Sequence, residues 1–207
     1  MCFWPPSRSW GRSAINNTDI AYWLDQVIPA SLEFRDVSSA DGGTRWRIGT
    51  AELGDGQALA VTVGFSQVDT GLQRADDGVD VRCELLAVGR TNPATVAAAV
   101  QAAADQIAAA AGVIPAQPGV LLPNMAAGSA LEQDESVTAR HGLLIAPYLW
   151  GGQTPQVAED KRLTLICQLL VLTDAEYSYA ADEGVGPFQQ AVADGGIDLL
   201  DFSRADG

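Results

Sequence analysis

Between Val79 and Leu85 apolar and polar residues alternate without a break: Val79, Val81, Cys83 and Leu85 fall on one side, Asp80, Arg82 and Glu84 on the other. A period of two marks a β-strand with one covered face, so this segment is expected to turn its charged side to water. Ala58 to Phe65 repeats the pattern, with Leu59, Val61, Val63 and Phe65 separated by smaller residues. Ser31 to Val37 and Thr44 to Ala51 precede it, and the turn residues Ala40-Asp41-Gly42-Gly43 and Gly54-Asp55-Gly56 separate the three runs into a meander. His141 to Ala146 reads as a further apolar strand, and Leu163 to Leu172 is apolar on nearly both faces, which places it at the centre of a sheet.

Two longer segments follow the helical period instead. Ile20, Trp23, Leu24 and Val27 share one face of a short helix that Thr18 or Asp19 can cap and Pro29 ends. Asn92-Pro93 is a cap followed by proline at the first helical position, and the alanine-rich run to Ala111 sets Val96, Val100, Ala103 and Ile107 in one stripe before Gly112 stops it. Small alanines permit close approach, so this helix is expected to lie across the strands. Thr173-Asp174-Ala175-Glu176 forms a capping box that starts a third helix, ending near Gly184; Gly186-Pro187 begins another, and Gly195-Gly196 releases the chain into Ile197 to Phe202. Val113 to Thr138, punctuated by Pro115, Pro118 and Pro123, reads as a long irregular connection, and Gly151 to Lys161 as a loop. The fold class these elements predict is α+β: a mixed, mainly antiparallel sheet flanked by helices in a single domain. Residues 1–16 are expected to form a flexible arm and 17–207 the domain.

Composition narrows the class. Apolar residues make up 47% and charged residues 18% of the 207, which fits a chain that folds around its own core. The formal charge of −14 repels phosphate backbones and anionic lipid, so neither nucleic acid nor a membrane is the expected partner. Cys2, Cys83 and Cys167 are odd in number and widely spaced, and only one histidine accompanies them; neither a disulfide framework nor a zinc site is indicated. The opening MCFWPPSRSWGRS lacks the apolar run of a signal peptide, and no stretch reaches the ~18 apolar residues of a membrane span. A cytoplasmic location with reduced thiols is the expectation. Met1 to Ser13 reads as a disordered arm or an over-long gene start, in which Trp4 and Trp10 offer groups for docking on the core.

Candidate chemistry is sparse. The lone His141 stands at a strand edge, where a hydrogen-bonded structural role is expected. Gly64-Phe65-Ser66-Gln67-Val68 lacks the closing glycine of a nucleophile elbow, and Gly54-Asp55-Gly56 and Gly184-Val185-Gly186 lack the later glycine of a dinucleotide loop. Around Gly78 a calcium-loop register puts Gln73 and Ala75 where acids are required. Asp76-Asp77 and Glu159-Asp160 sit beside turn residues and read as solvated charge. Cys83 and Cys167 lie on inward strand faces, where a thiol is an inert small hydrophobe. No catalytic, cofactor-binding or metal residue is therefore assigned. Tyr148, Leu149 and Trp150, followed by Gly151-Gly152, put large side chains at a strand end beside a loop, and Tyr and Trp dominate binding hot spots. They are the candidate partner-binding residues, with closure of the core as the competing role.

The order of features in the last third is more specific than any one of them. His141-Gly142-Leu143-Leu144, a strand containing Leu165 and Gln168, the box Thr173-x-x-Glu176, Gly184, and Asp198-Leu199-Leu200-Asp201-Phe202-x-Arg204 follow one another in that sequence. This order resembles the Suppressor of fused domain family, whose members show a His-x-Leu-Leu strand, a Leu-Gln strand running into Thr-x-x-Glu, a helix with a glycine, and an aspartate-rich segment ending in Asp-x-x-Arg. By pattern the resemblance covers Leu86 to Arg204, including the helix from Ala94 to Ala111 and the apolar Val120-Leu121-Leu122-Pro123. It implies a mixed sheet flanked by helices and, in animal members, a cytosolic regulator that clamps a transcription-factor peptide against a second domain by strand addition. Here the sequence ends at Gly207, and Ile145-Ala146 replace the acid that follows the strand in animal members, so that partner is not carried over. Some short bacterial relatives look like immunity proteins, and the Ala-, Gly-, Val- and Asp-rich composition suits a bacterium of high GC content. A basic toxin would then be the partner, drawn by complementary charge.

Of the signature residues, Asp201 and Arg204 are expected to pair or to cap the chain end, and Glu176 to serve its capping box. His141, Leu144, Gln168, Thr173, Glu176, Gly184, Asp201 and Arg204 are all read as structural. The leading function is a non-catalytic protein-binding domain. The alternatives are an enzyme using His141 with a carboxylate distant in sequence, and a homo-oligomer subunit.

Overall fold

The computed structural model describes residues 15–38, 44–151 and 153–206. Residues 1–14 of the expected arm, with Cys2, Trp4 and Trp10, and the turn Ala40-Asp41-Gly42-Gly43 lie outside the described residues. Helix α1 (Asn17–Val27) starts earlier than expected: Asn16, not Thr18 or Asp19, is the cap. Its side chain accepts from the N–H groups of Thr18 and Asp19, and the Asp19 carboxylate accepts the Asn16 N–H in return. Both ends of that box are short polar groups, and shifting it upstream leaves Ile20 and Leu24 free to be buried.

The meander comprises β1 (Glu33–Ser38), β2 (Thr44–Gly54) and β3 (Gln57–Val63), each antiparallel to the next. A 3-10 turn at Phe65–Gln67 and a polar loop lead to β4 (Asp80–Gly89), then α2 (Pro93–Ala109). After a connection that contains only β5 (Leu121–Leu122) come β6 (His141–Ile145), β7 (Gln156–Ala158) and β8 (Arg162–Leu172). Two helices, α3 (Asp174–Glu183) and α4 (Val185–Gly195), close the chain. The sheet order is β1-β2-β3-β4-β8-β6-β5, with β7 pairing β8 beyond the end of β6. Only β4 and β8 run parallel, in register from Asp80 opposite Arg162 to Ala87 opposite Leu169. The architecture is thus α+β with a mixed, mainly antiparallel sheet.

Alternation along the strands divides the interior. On one face Ala58, Ala60, Cys83, Leu85, Ala87, Cys167, Leu169 and Val171 meet the α2 stripe of Val96, Val100, Ala103 and Ile107. Each fully buried Val or Ile of that stripe contributes about 1.5–3 kcal/mol, and the intervening alanines bring the helix axis close to the sheet. On the other face, Leu59, Val61, Val63, Leu86, Val88 and Ile166 form one cluster with Ile20, Ala21 and Leu24 of α1 and with Ile28 and Val157. Beside it, α3 and α4 cover Leu143, Ile145, Leu170 and Leu172.

This second layer corrects the expectation that one face of β4 meets water. From Cys83 onward every residue of β4 is buried, Glu84 included. Pairing of β3 with β4 stops after Val61 opposite Leu86, and Glu84 enters the gap. Its carboxylate accepts the N–H groups of Gly64, Phe65 and Ser66 at 3.1, 3.1 and 3.2 Å and the Thr62 hydroxyl at 2.6 Å. Thr62 Oγ1 in turn accepts the Leu85 N–H at 2.9 Å. An alternating pattern reports only side-chain polarity; the donors that make Glu84 an interior residue belong to the backbone of the next turn. The 151–161 segment also departs from a plain loop, since Gln156–Ala158 forms β7.

The last segment packs back on the sheet. Phe202 lies over Gly89, where an added Cβ would stand 2.8 Å from the ring, while the Phe202 carbonyl accepts from the Thr138 and Ala139 N–H groups. Gly89→Ala is therefore expected to displace Phe202 and destabilise the fold by about 1–3 kcal/mol, read as a lower urea midpoint at unchanged slope.

Candidate functional site

The turn between β6 and β7 is built from both ends. Its first anchor is Gln168, 3% exposed, paired with Ile145 across the β6–β8 ladder. The Gln168 Oε1 accepts the Tyr148 N–H at 3.0 Å, so the chain leaving β6 is pinned to the central strand. The second anchor is Trp150, whose indole N–H donates to the Val27 carbonyl at 3.0 Å and whose ring packs with the α1 layer. Gly151 closes the turn at φ +58°, with its N–H on the Tyr148 carbonyl. Between these anchors Tyr148 stands 62% and Leu149 37% exposed. Of the three aromatic and aliphatic candidates, two face solvent and Trp150 joins the core.

Of the eight signature residues only Gln168 takes part in this turn among the described contacts; the other seven lie elsewhere. Leu144 is fully buried opposite Leu169. Thr173 caps α3 through its side chain on the Glu176 N–H, and Glu176 Oε2 accepts the Thr173 N–H at 2.9 Å. Gly184, at φ +93°, joins α3 to α4. Asp201 and Arg204 are expected to pair or to cap the chain end; their side chains do not pair, and Arg204 ties the last segment to β8. Arg204 forks onto Glu176, with Nε 2.7 Å from Oε1 and Nη2 on Oε2, and also donates to the carbonyls of Val171 and Asp201. Asp201 instead accepts from the Ser203 N–H and hydroxyl, which holds its carboxyl below the usual range. The guanidinium reaches Glu176 because that carboxylate lies at the α3 start, where the C-terminal segment returns beside β8.

His141 is 6% exposed and stacks on Tyr177 with ring centroids 4.3 Å apart. Its Nδ1 accepts the Asn124 N–H at 3.1 Å, and Nε2 lies 2.7 Å from Asp174 Oδ1. A carboxylate distant in sequence does meet the histidine, but both ring nitrogens are engaged and none is presented to a substrate. Burial raises the Cys83 thiol far above its ordinary value and pushes Cys167 up to about 12, so neither is a nucleophile near neutral pH. Among the described residues no cluster of three or more His, Cys, Asp or Glu is arranged to hold a metal ion. Nor is any described helix long and apolar enough to cross a membrane.

No protein-family model matches the sequence, and no curated protein matches it. Solved structures do. A putative Suppressor of fused homolog from Neisseria gonorrhoeae superposes with a TM-score of 0.64 at 16% identity, over 92% of this chain and 95% of that one. A chain of the Sufu–Fu complex superposes with a TM-score of 0.63 at 13% identity, over 93% of this chain and 91% of that one. The fold is Suppressor of fused-like.

Proposed function

We propose that this chain is a non-catalytic protein-binding domain that engages its partner through Tyr148 and Leu149. The carrying observation is an exposed aromatic and aliphatic pair on a turn fixed at both ends, by Gln168 and by Trp150. A pre-ordered turn loses little conformational freedom on association, and tyrosine supplies large contact area with few rotatable bonds. The Suppressor of fused-like fold, seen elsewhere in a Sufu–Fu complex, supports a binding role. The net charge of −14 favours a basic partner and fast association. Within that class, an immunity protein neutralising a basic toxin is the reading we favour, in the cytoplasm of a bacterium.

A photo-reactive residue placed at Tyr148 tests the surface, with the same residue at Val113 as control, since Val113 is 83% exposed beyond the end of α2. A single basic protein cross-linked from the source cells at 148 and absent at 113 is the expected outcome. Equal labelling from both positions would remove the assignment, and a cross-link to a second copy would replace it with self-association.

A further inference from the structure

The edge of β6 is covered by a strap, residues 119–126, whose hold on the strand is mostly backbone. Leu121 and Leu122 pair with Leu143 and Gly142, the Gly119 N–H donates to the Leu144 carbonyl at 2.7 Å, and the Ala126 N–H donates to the Arg140 carbonyl at 3.1 Å. One tie is different in kind: the Asn124 N–H donates to a side chain, His141 Nδ1. Because Nδ1 accepts, the neutral ring carries its proton on Nε2, which donates to Asp174. Asn124 itself sits at φ +48°, in the left-handed region, at the corner where the strap leaves β5.

We propose that His141 is a proton-operated latch on this strap, closed when the imidazole is neutral and open when it is charged. Protonation can occur only at Nδ1, which then turns an N–H toward the Asn124 N–H, so an attractive contact becomes donor against donor. The same event strengthens the opposite side of the ring. Asp174 bonds Nε2 directly, and Asp206, which caps α3 through the Ala175 N–H, adds a second negative charge close to the ring. The ionisable Tyr177 stacks on the ring, and neighbouring Arg140 spends its guanidinium on the Glu132 and Val137 carbonyls. Acid therefore moves the histidine's allegiance from the strap to α3, and the β6 edge loses part of its cover. The inference is independent of the Tyr148 surface.

His141 is the only histidine in the chain, so its imidazole can be followed alone. Nitrogen NMR of the ring, combined with amide hydrogen exchange corrected for intrinsic rates, is carried from pH 8 to pH 5. The expected ring has its proton on Nε2 at the alkaline end. As it titrates, protection across 119–126 falls by about tenfold with the same midpoint, the size of one lost hydrogen bond. His141→Asn, which offers a non-titrating acceptor near the Nδ1 position, is expected to abolish the midpoint. Should that variant fail to fold, Asp174→Asn serves: it lowers the imidazole midpoint, and the opening of the strap must move with it. A ring protonated on Nδ1 at pH 8, one that stays neutral throughout, or strap protection unchanged through the titration overturns the proposal.

Discussion

Glu84→Ala is expected to destabilise the domain by about 4 kcal/mol, measured by urea denaturation at pH 7. The substitution strands the N–H groups of Gly64, Phe65 and Ser66, all of which now converge on one carboxylate in a gap between β3 and β4. A buried donor left without a partner costs about 1–3 kcal/mol, and three of them fall together here. Glu84→Gln is the milder change, about 1–3 kcal/mol, because the amide keeps one acceptor but turns its NH2 toward donors on the other side. The pH dependence separates charge from hydrogen bonding. Burial raises the Glu84 carboxyl above its ordinary value of 4.5, against the lowering by Thr62, Ser66 and Gly64. As pH rises from 4.5 through the raised value, the unfolded chain has lost a proton that the folded chain still holds, so the contribution of this group to stability falls across that window. Glu84→Gln is expected to flatten that fall.

Arg204→Met is expected to cost about 3–5 kcal/mol in the same assay, since it leaves the Glu176 carboxylate at the α3 start without its counter-charge. Both side chains are nearly closed to water, at 8% and 10% exposure, so solvent screening offers little relief. The guanidinium also ties the Val171 and Asp201 carbonyls, which makes it the knot between β8, α3 and the C-terminal segment. Arg204→Lys is expected to recover only part, because an ammonium cannot fork onto both carboxylate oxygens. Arg204→Met with Glu176→Gln should be more stable than Arg204→Met alone, as the glutamine keeps the capping role while removing the unpaired charge.

These two residues also mark what a sequence conveys about this fold. The strand of residues 79–85, the α2 stripe and the Thr173–Glu176 box are set by periods and short-range chemistry, and each is readable along the chain. Glu84 is not, because the N–H groups that receive it lie about twenty residues upstream and carry no side-chain signal. Proximity along the chain suggests Asp201 for Arg204, whereas its partner Glu176 comes near only when the C-terminal segment folds back beside β8. Strand β7 escaped because Gln156-Val157-Ala158 is too short for a period to show. At the candidate site, the sequence points to a large-residue turn, but the split between exposed Tyr148 and Leu149 and anchored Trp150 depends on where α1 ends, at Val27.

The binding role is tested most directly by titrating the cross-linked partner against the wild-type chain and a Tyr148→Ser, Leu149→Ser variant, with thermal unfolding of both recorded alongside. A hot-spot residue contributes about 2 kcal/mol or more, so even if only one of the pair is a hot spot, affinity should fall at least about thirtyfold while the unfolding midpoint stays within a degree or two. Equal affinity for the two chains would contradict the account.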